Sequence, residues 1–347
     1  GNSSSILLRV TNFIPMAKSD CIRVAEEKES RKRFLFRFLH LMFNRQVRRS
    51  RAGRHNDGIK GEKTMVMSVD MRFPEGKAKA LTLSYDDGVE QDIRLVDILN
   101  AHGLKCTFNL NSGLFSPEGT TWQPGTIHRR MTAARALALY GNSAHEVAVH
   151  GMNHPFLHRL PIAAATAEII EDRKNLEAMF GHTVQGMAYP FGTQVVNDQV
   201  VQILRDCGIH YARTTESTGN FEIPTDWLRM PATCHHAHPK LMEYAEQFLK
   251  IDGSHGVAHL FYLWGHSYEF EEKNNWEVIE RFAEYMGGRD DVWYATNGEI
   301  YDYVRDWNRM EWSADCKTVT NPSARTLYIR YGADVFEIGA GETRRLV

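Results

Sequence analysis

The sequence predicts an α/β fold, a closed or nearly closed barrel of parallel strands wrapped by helices, and three observations predict it. Short β-prone runs alternate with helical patterns from about residue 75 to residue 308. Seven such units recur over this length, which suits a barrel better than an open sheet. Four polar motifs all fall where a strand should end, the place where barrels of this kind gather their reactive groups.

The expected strands occupy residues 80–85, 106–110, 146–149, 186–189, 210–213, 259–263 and 292–295. The helical patterns between them cover residues 92–100, with Ile93, Val96 and Leu99 on one face, and 163–179, with Ala167, Ile170, Leu176 and Met179. Further helices are expected at 198–207, 240–249, 276–286 and 299–307. Residues 325–338 hold two alternating runs joined by Gly332-Ala333-Asp334, a hairpin signal and the basis for a small C-terminal β appendage. The organisation is then a basic irregular extension (1–64), a barrel (65–308) and the appendage (309–347).

A chain of 347 residues with 43% hydrophobic residues can bury a large core, and its 24% charged residues are ordinary for a globular protein. The net charge of -2 conceals an asymmetry, because Arg31, Lys32, Arg33, Arg48, Arg49, Arg51 and Arg54 crowd the first 64 residues. The remaining body is acidic, which argues against nucleic acid as a partner. Charge runs are usually solvated, so the extension reads as an arm, a basic surface helix around residues 34–43, or sequence upstream of a start at Met65 or Met67. The five cysteines (Cys21, Cys106, Cys207, Cys234, Cys316) are scattered, odd in number and free of CxxC pairs, as expected for reduced packing thiols. No apolar run is long enough to cross a bilayer, and residues 34–43 make a poor signal peptide, so a cytoplasmic location is expected.

The first motif is Leu83-Ser84-Tyr85-Asp86-Asp87-Gly88. Adjacent carboxylates after an apolar strand repel unless something uses them. In extended chain their side chains diverge, so one can bind a metal while the other faces a water. Capping of the following helix is the plainer use. The second motif, His150-Gly151-Met152-Asn153-His154, sets two imidazoles four apart, a spacing that lets both reach one ion. With one Asp they would leave positions open for water and substrate. The third, Met187-Ala188-Tyr189-Pro190-Phe191-Gly192, offers a tight backbone with N–H groups for an oxyanion, or an ordinary loop. The fourth, Leu263-Trp264-Gly265-His266-Ser267, places a histidine able to protonate a leaving amine or alcohol.

This order of D-D-G, H-x-x-x-H, Y-P-F-G and a late strand ending in His resembles the NodB-type polysaccharide deacetylases, the family 4 carbohydrate esterases, over about residues 75–300. The resemblance implies a distorted seven-stranded β/α barrel and removal of acetyl groups from an N- or O-acetylated carbohydrate. It implies that Asp87, His150 and His154 hold one divalent transition metal, zinc first, with cobalt or nickel as alternatives. Asp86 would take the proton of the attacking water, the Phe191 backbone N–H would face the oxyanion, and His266 would act as the acid. One departure stands out: Ala188 occupies the place of the family's arginine, and Arg213 on the next strand is the nearest replacement. Asp226, beside Trp227, matches an aspartate–tryptophan pair of the family and would hold His266 or lie on the surface. Tyr189, Trp264 and His235 are candidate substrate contacts, Tyr268 another aromatic face. The cluster Cys234-His235-His236-Ala237-His238 is too cramped for a second ion and lines the cleft or belongs to a plain loop. A second activity on the same barrel is hydrolysis of a C–N bond in a small cyclic amide, imide or ureide. A non-catalytic glycan binder would have no need of two metal histidines, two aspartates and a late histidine.

Overall fold

The computed structural model describes residues 68–254 and 256–346. The extension at 1–64, Cys21, Met65 and Met67 lie outside the described residues.

In chain order the elements begin with β1 (Val69–Arg72), β2 (Lys79–Asp86), α1 (Asp92–Ala101), β3 (Cys106–Leu110), α2 (Ala133–Tyr140), β4 (Glu146–Val149) and α3 (Ile162–Phe180). There follow β5 (Gly186–Ala188), α4 (Asp198–Asp206), β6 (Tyr211–Ser217), β7 (Met230–Ala232), β8 (Cys234–His235), α5 (Leu241–Leu249) and β9 (His259–Gly265). The last are α6 (Tyr268–Glu272), α7 (Glu277–Met286), β10 (Val292–Tyr294), α8 (Asn297–Trp307), β11 (Glu311–Trp312), β12 (Thr318–Thr320), β13 (Leu327–Tyr331), β14 (Asp334–Ile338) and β15 (Thr343–Arg345). The alternation legible in the sequence is present, with most bounds within two residues of expectation.

The main sheet has nine strands, hydrogen-bonded in the order β7-β6-β5-β4-β3-β2-β9-β8, with β10 beside the start of β2. All its pairings are parallel. The two ends of this order are consecutive in the chain. Residues 230–232 pair with β6, residues 234–235 pair with β9, and Thr233 between them donates to Tyr262 O (2.9 Å) and accepts from Gly219 N–H (3.0 Å). One stretch thus joins both edges of the sheet. The sequence reading counted seven strands and had none here, because runs of three and two residues carry no period and Pro231 argues against a strand.

Strand β2 shows how the sheet positions a site. Its residues are all buried and alternate, so that Leu81, Leu83 and Tyr85 face the helices while Thr82, Ser84 and Asp86 face the other side. The helix-facing set packs with Leu95 and Leu99 of α1, Ile169 and Leu176 of α3 and Phe282 of α7. The other side is a buried polar network. Thr82 Oγ1 donates to Asn297 Oδ1 (2.9 Å), Asn109 Nδ2 donates to Ser84 Oγ (2.8 Å), and Arg213 Nε reaches the same hydroxyl (3.2 Å). Asp86 tops this row at the C-terminal end of β2.

The expected apolar face of α1 needs one correction. Leu95, Val96 and Leu99 are buried, but Ile93 is 41% exposed. Beyond the main sheet, β13 and β14 form the expected antiparallel hairpin, closed by Gly332 at φ 64°. The hairpin is not a lone appendage: β1 pairs with β13, and β11, β12 and β15 make a further three-stranded sheet. Met71, Phe73, Leu327, Ile329 and Ile338 share one core with Ile300 and Tyr303 of α8. Cys106, Cys207 and Cys234 are free and buried, and Cys316 is free and exposed. Among the described residues no helix is long and apolar enough to cross a membrane.

Candidate metal centre

Asp87, His150 and His154 each offer a ligand atom, and these atoms lie within 4.8 Å of one another. They come from two loops at the C-terminal ends of β2 and β4. Three of the non-glycine residues with left-handed backbone are here: Asp87 (φ 87°), His154 (φ 53°) and Phe191 (φ 60°). Such conformations cost of order 1–3 kcal/mol each and persist where function requires the geometry. Gly151, at φ 74°, gives the turn between the histidines, with Pro155 and Pro190 each 3.2 Å from where a Cβ would stand.

The tautomer of His150 follows from its partners. Nδ1 lies 2.8 Å from Ala188 O, a pure acceptor, so Nδ1 carries the hydrogen. Its Nε2 is buried with no hydrogen-bond partner and lies 3.8 Å from Asp87 Oδ1 and 3.9 Å from Asp86 Oδ2. An orphaned lone pair in a buried site needs an occupant, and a cation fits one faced by a carboxylate and a second imidazole. Burial lowers the pKa of both histidines, that of His154 to about 4 with His150 contributing, so each is neutral, as a ligand must be. The donor set therefore suits a divalent transition ion.

The two aspartates have different surroundings. Asp86 accepts from Asn109 Nδ2 (2.8 Å) and from Arg213 Nη2 through both oxygens, at 2.6 Å to Oδ1. Burial would raise its pKa, but Arg213, His150 and His266 outweigh it and keep Asp86 ionised. Asp87 accepts from Arg130 Nη2 (2.9 Å) at Oδ1 and from His128 Nε2 (3.0 Å) at Oδ2. Burial raises its pKa too, yet the His128 hydrogen bond and Arg130 hold it well below the usual carboxylate range.

Arg213 reaches Asp86 because β5 and β6 pair with Ala188 opposite Arg213. The guanidinium stands on the strand beside Ala188, where the resemblance leads one to expect an arginine. Its Cζ lies 4.5 Å over the Trp264 ring, so Trp264 supports the pair from beneath and, at 9% exposed, is no platform for a sugar. Tyr189 needs a similar correction: it is buried and donates its hydroxyl to Leu228 O (2.7 Å), sealing the loop after β6. Phe191 is 40% exposed at the rim, stacked on Phe156 at 3.7 Å and edge-on to His154.

His266 stands past β9 with Nε2 3.8 Å from Asp86 Oδ2. Its Nδ1 donates to Glu269 Oε1 (3.0 Å), so the free Nε2 faces the centre. Asp226 does not hold it. That aspartate caps the turn at Leu228 N (3.2 Å) and pairs with Arg229 (3.0 Å). Glu269 also meets His236 Nε2 (3.2 Å) and Lys273 Nζ (3.2 Å). Burial would lower the His266 pKa, but Glu269 and Asp86 overcome it and raise it, favouring the imidazolium form. Glu269→Gln is expected to reduce turnover about 10–100-fold and to move the alkaline limb of the pH–rate profile to lower pH. An unmoved limb would separate Glu269 from His266.

His235, His266 and Glu269 also lie within 4.8 Å of one another. However, His235 Nδ1 accepts from Ala237 N–H (3.1 Å), which leaves the hydrogen on Nε2, facing Glu269 at 3.6 Å. A protonated nitrogen is no ligand, so this cluster orients imidazoles around one carboxylate.

Residues 74–212 match the model of one family, described as polysaccharide deacetylase. These residues are thus similar to that family's sequence. The match begins just before β2 and takes in the Asp86-Asp87, His150–His154 and Phe191 motifs of the family, while His266 and Glu269 lie beyond it. A Streptococcus pyogenes deacetylase, PplD, solved with acetate, is 20% identical with a TM-score of 0.37 over 43% of this chain, which spans only 61% of its length. A polysaccharide deacetylase structure from Mycobacterium smegmatis is 16% identical with a TM-score of 0.46, covering 70% of this chain and 95% of that one. A family 4 carbohydrate esterase from Streptomyces lividans, also solved with acetate, is 15% identical with a TM-score of 0.39, covering 62% and 91%. No curated protein sequence matches.

Besides Asn109 and Glu269, four residues outside the sequence reading complete the site. His128 and Arg130 come from a loop without period. Asn111 accepts from Arg130 (2.6 Å) and donates to His150 O and Gly151 O. Asp172 of α3 accepts from Ser112 N–H (2.7 Å) and His150 N–H (3.1 Å). Of these four, only Asp172 left a trace, as a carboxylate on the apolar side of a helix.

Proposed function

We propose that this chain is a metal-dependent hydrolase that removes acetyl groups from an N- or O-acetylated carbohydrate. The observation that carries the reading is the partnerless, buried Nε2 of His150, facing Asp87 and His154, with an ionised Asp86 alongside. The fold, in this reading, is a distorted seven-stranded barrel of β2, β3, β4, β5, β6, residues 230–235 as one member and β9, with β10 standing outside the count beside the start of β2.

Asp87, His150 and His154 would hold the ion, zinc first and cobalt or nickel by the same donor set. When bound, such an ion polarises a carbonyl and lowers the pKa of water from about 15.7 to near 7. Asp86 takes the proton of the attacking water at its carboxylate, and Arg213 keeps that carboxylate ionised until then. The Phe191 N–H, which donates to no protein acceptor among the described residues, offers itself to the oxyanion. His266 delivers its Nε2 proton to the departing amine or alcohol, while Glu269 retains the hydrogen bond at Nδ1. The same groups would also open a cyclic amide, imide or ureide; the family match supports the acetylated carbohydrate.

Metal analysis of protein purified without added ions should give about one transition ion per chain, with acetate release from acetylated chito-oligomers or acetylxylan. His150→Ala should lose both. A metal-free wild type that gains nothing from zinc or cobalt would overturn the metal mechanism. Ammonia or a ring-opened product from cyclic amides, without acetate release, would replace the substrate class.

A further inference from the structure

We propose that Asp92, a buried carboxyl group outside the set of reacting groups, is a positioning residue: it ties the loop of His266 to the loop of Asp86 and Asp87 and so fixes the acid against the base. This rests on the reading above, in which Asp86 is the base and His266 the acid.

The sheet by itself does not set the distance between them. Pairing between β2 and β9 ends with Tyr85 opposite Gly265. Asp86, Asp87, His266 and Ser267 all lie past the last position paired between these two strands. Even so, His266 Nε2 stands 3.8 Å from Asp86 Oδ2. Something other than strand pairing has to hold the two loops in place.

Asp92 occupies the junction. It opens α1, is fully buried, and receives hydrogen bonds from three segments of chain. Its Oδ1 accepts from the hydroxyl of Ser267 (2.5 Å), the residue after His266. Its Oδ2 accepts from Val89 N–H (3.1 Å), two residues past Asp87, and from the Tyr140 hydroxyl (2.7 Å) at the end of α2. One oxygen thus serves the loop of the acid and the other the loop of the aspartates. The Asp92 N–H donates in turn to Val89 O (2.9 Å), which closes the turn between them.

A plain helix cap would not be built this way. All three donors are neutral, and burial pushes the Asp92 pKa up to about 7. A carboxyl group taken out of water with no cation among its partners is costly, whereas an exposed Asp or Ser caps a helix without that cost. The Ser267 bond is the one of the three that neither the helix nor its entering turn requires. Ser267 is itself fully buried, in the fourth motif of the sequence, and gives its hydroxyl to Asp92. The work on His266 is therefore divided. Glu269 turns the ring through Nδ1, and Asp92, through Ser267, places the backbone that carries it.

The test uses the full chain with its metal. Ser267→Ala comes first, because it removes one hydroxyl and leaves the Val89 and Tyr140 bonds in place. On N-acetylated chito-oligosaccharides kcat is expected to fall about 10–100-fold, the cost of misplacing a reacting group by about 1 Å, with KM within about twofold and metal content unchanged. 4-Nitrophenyl acetate releases a phenolate that needs no proton, so on this ester the same variant should lose less than about threefold. In a His266→Ala background Ser267→Ala should cost nothing further, since the two act through one group. Equal loss on both substrates per folded protein, no loss on either, or a further loss without His266 would overturn the proposal. Failure of the deacetylase reading is a separate result, in which the unsubstituted chain releases no acetate from any sugar. The link is then read without substrate, by NMR titration of the histidines. Ser267→Ala is expected to lower the His266 pKa as the ring leaves Asp86 and Glu269, and an unmoved value would overturn the proposal.

Discussion

Asp86→Asn is expected to lower kcat on an acetylated substrate by about 10²–10⁴-fold, the range for loss of a positioned general base, while leaving the bound metal at the wild-type level. The substitution keeps the shape of the side chain and its ability to accept from Asn109 or Arg213, but the amide cannot take a proton. The ligand atoms of Asp87, His150 and His154 are untouched, so metal content separates this variant from His150→Ala. Arg213 is left buried without its counter-charge, and loss of one partner of such a pair costs about 3–5 kcal/mol. Turnover is therefore to be normalised to folded protein by circular dichroism. A kcat within tenfold of the wild type would remove Asp86 from the role of base.

Arg213→Met is expected to act on stability and pH dependence together. The methionine fills much of the space over Trp264 but carries no charge, so the Asp86 carboxylate loses its main counter-ion and stability falls by about 3–5 kcal/mol at neutral pH. The direction with pH follows from linkage. Burial pushes the Asp86 pKa up, and Arg213 leads the groups that bring it down below the ordinary carboxylate value. The pair therefore contributes stability above the unfolded pKa of about 3.9, and that contribution is lost as pH falls through the lower folded value. Without Arg213, burial prevails, the folded pKa rises, and the acid limb of the pH–rate profile moves to higher pH. Urea unfolding at several pH values and the kcat profile report the two effects separately. An acid limb that stays in place would mean that Arg213 supports the fold alone.

These two residues also show why the site was only partly legible. Asp86 and Asp87 could be found because adjacent carboxylates after an apolar run are a local anomaly. His150 and His154 could be found because four-residue spacing is a local geometry. Arg213 was reached as the nearest charge on the next strand, and its placement depends on the register that sets Ala188 beside it. Glu269 was missed in favour of Asp226, since a letter match to a family pattern carries no distance. Glu269 is three residues past His266, one turn along the start of α6, and that proximity is the signal that was available.

The fold divides along the same line. Alternation of period two in β2, together with the helical periods of α1, α3, α4 and α7, marked the parallel strands and their crossovers, because side-chain burial repeats with the local geometry. The stretch 230–235, which joins β6 to β9, has no period to read. Its two short strands exist only because two neighbours present unpaired edges to it. Tyr189 and Trp264 make the same point from the other direction. Each belongs to a motif visible in the chain, yet one is spent sealing a loop and the other supports Arg213, since burial depends on what packs above a residue.

What could be read from the chain alone was therefore the set of local chemical anomalies: two carboxylates, two histidines four residues apart, a Pro-Phe-Gly turn and a late histidine, each at the end of a strand. Tertiary structure decided which partners hold them, with Arg213 on Asp86, Arg130 and His128 on Asp87, the Ala188 carbonyl on His150 and Glu269 on His266. Neighbours along the chain set conformation through steric and hydrogen-bonding terms that act over a few residues. Those partners lie 3 to 127 positions away, and only strand register and loop packing bring most of them within reach.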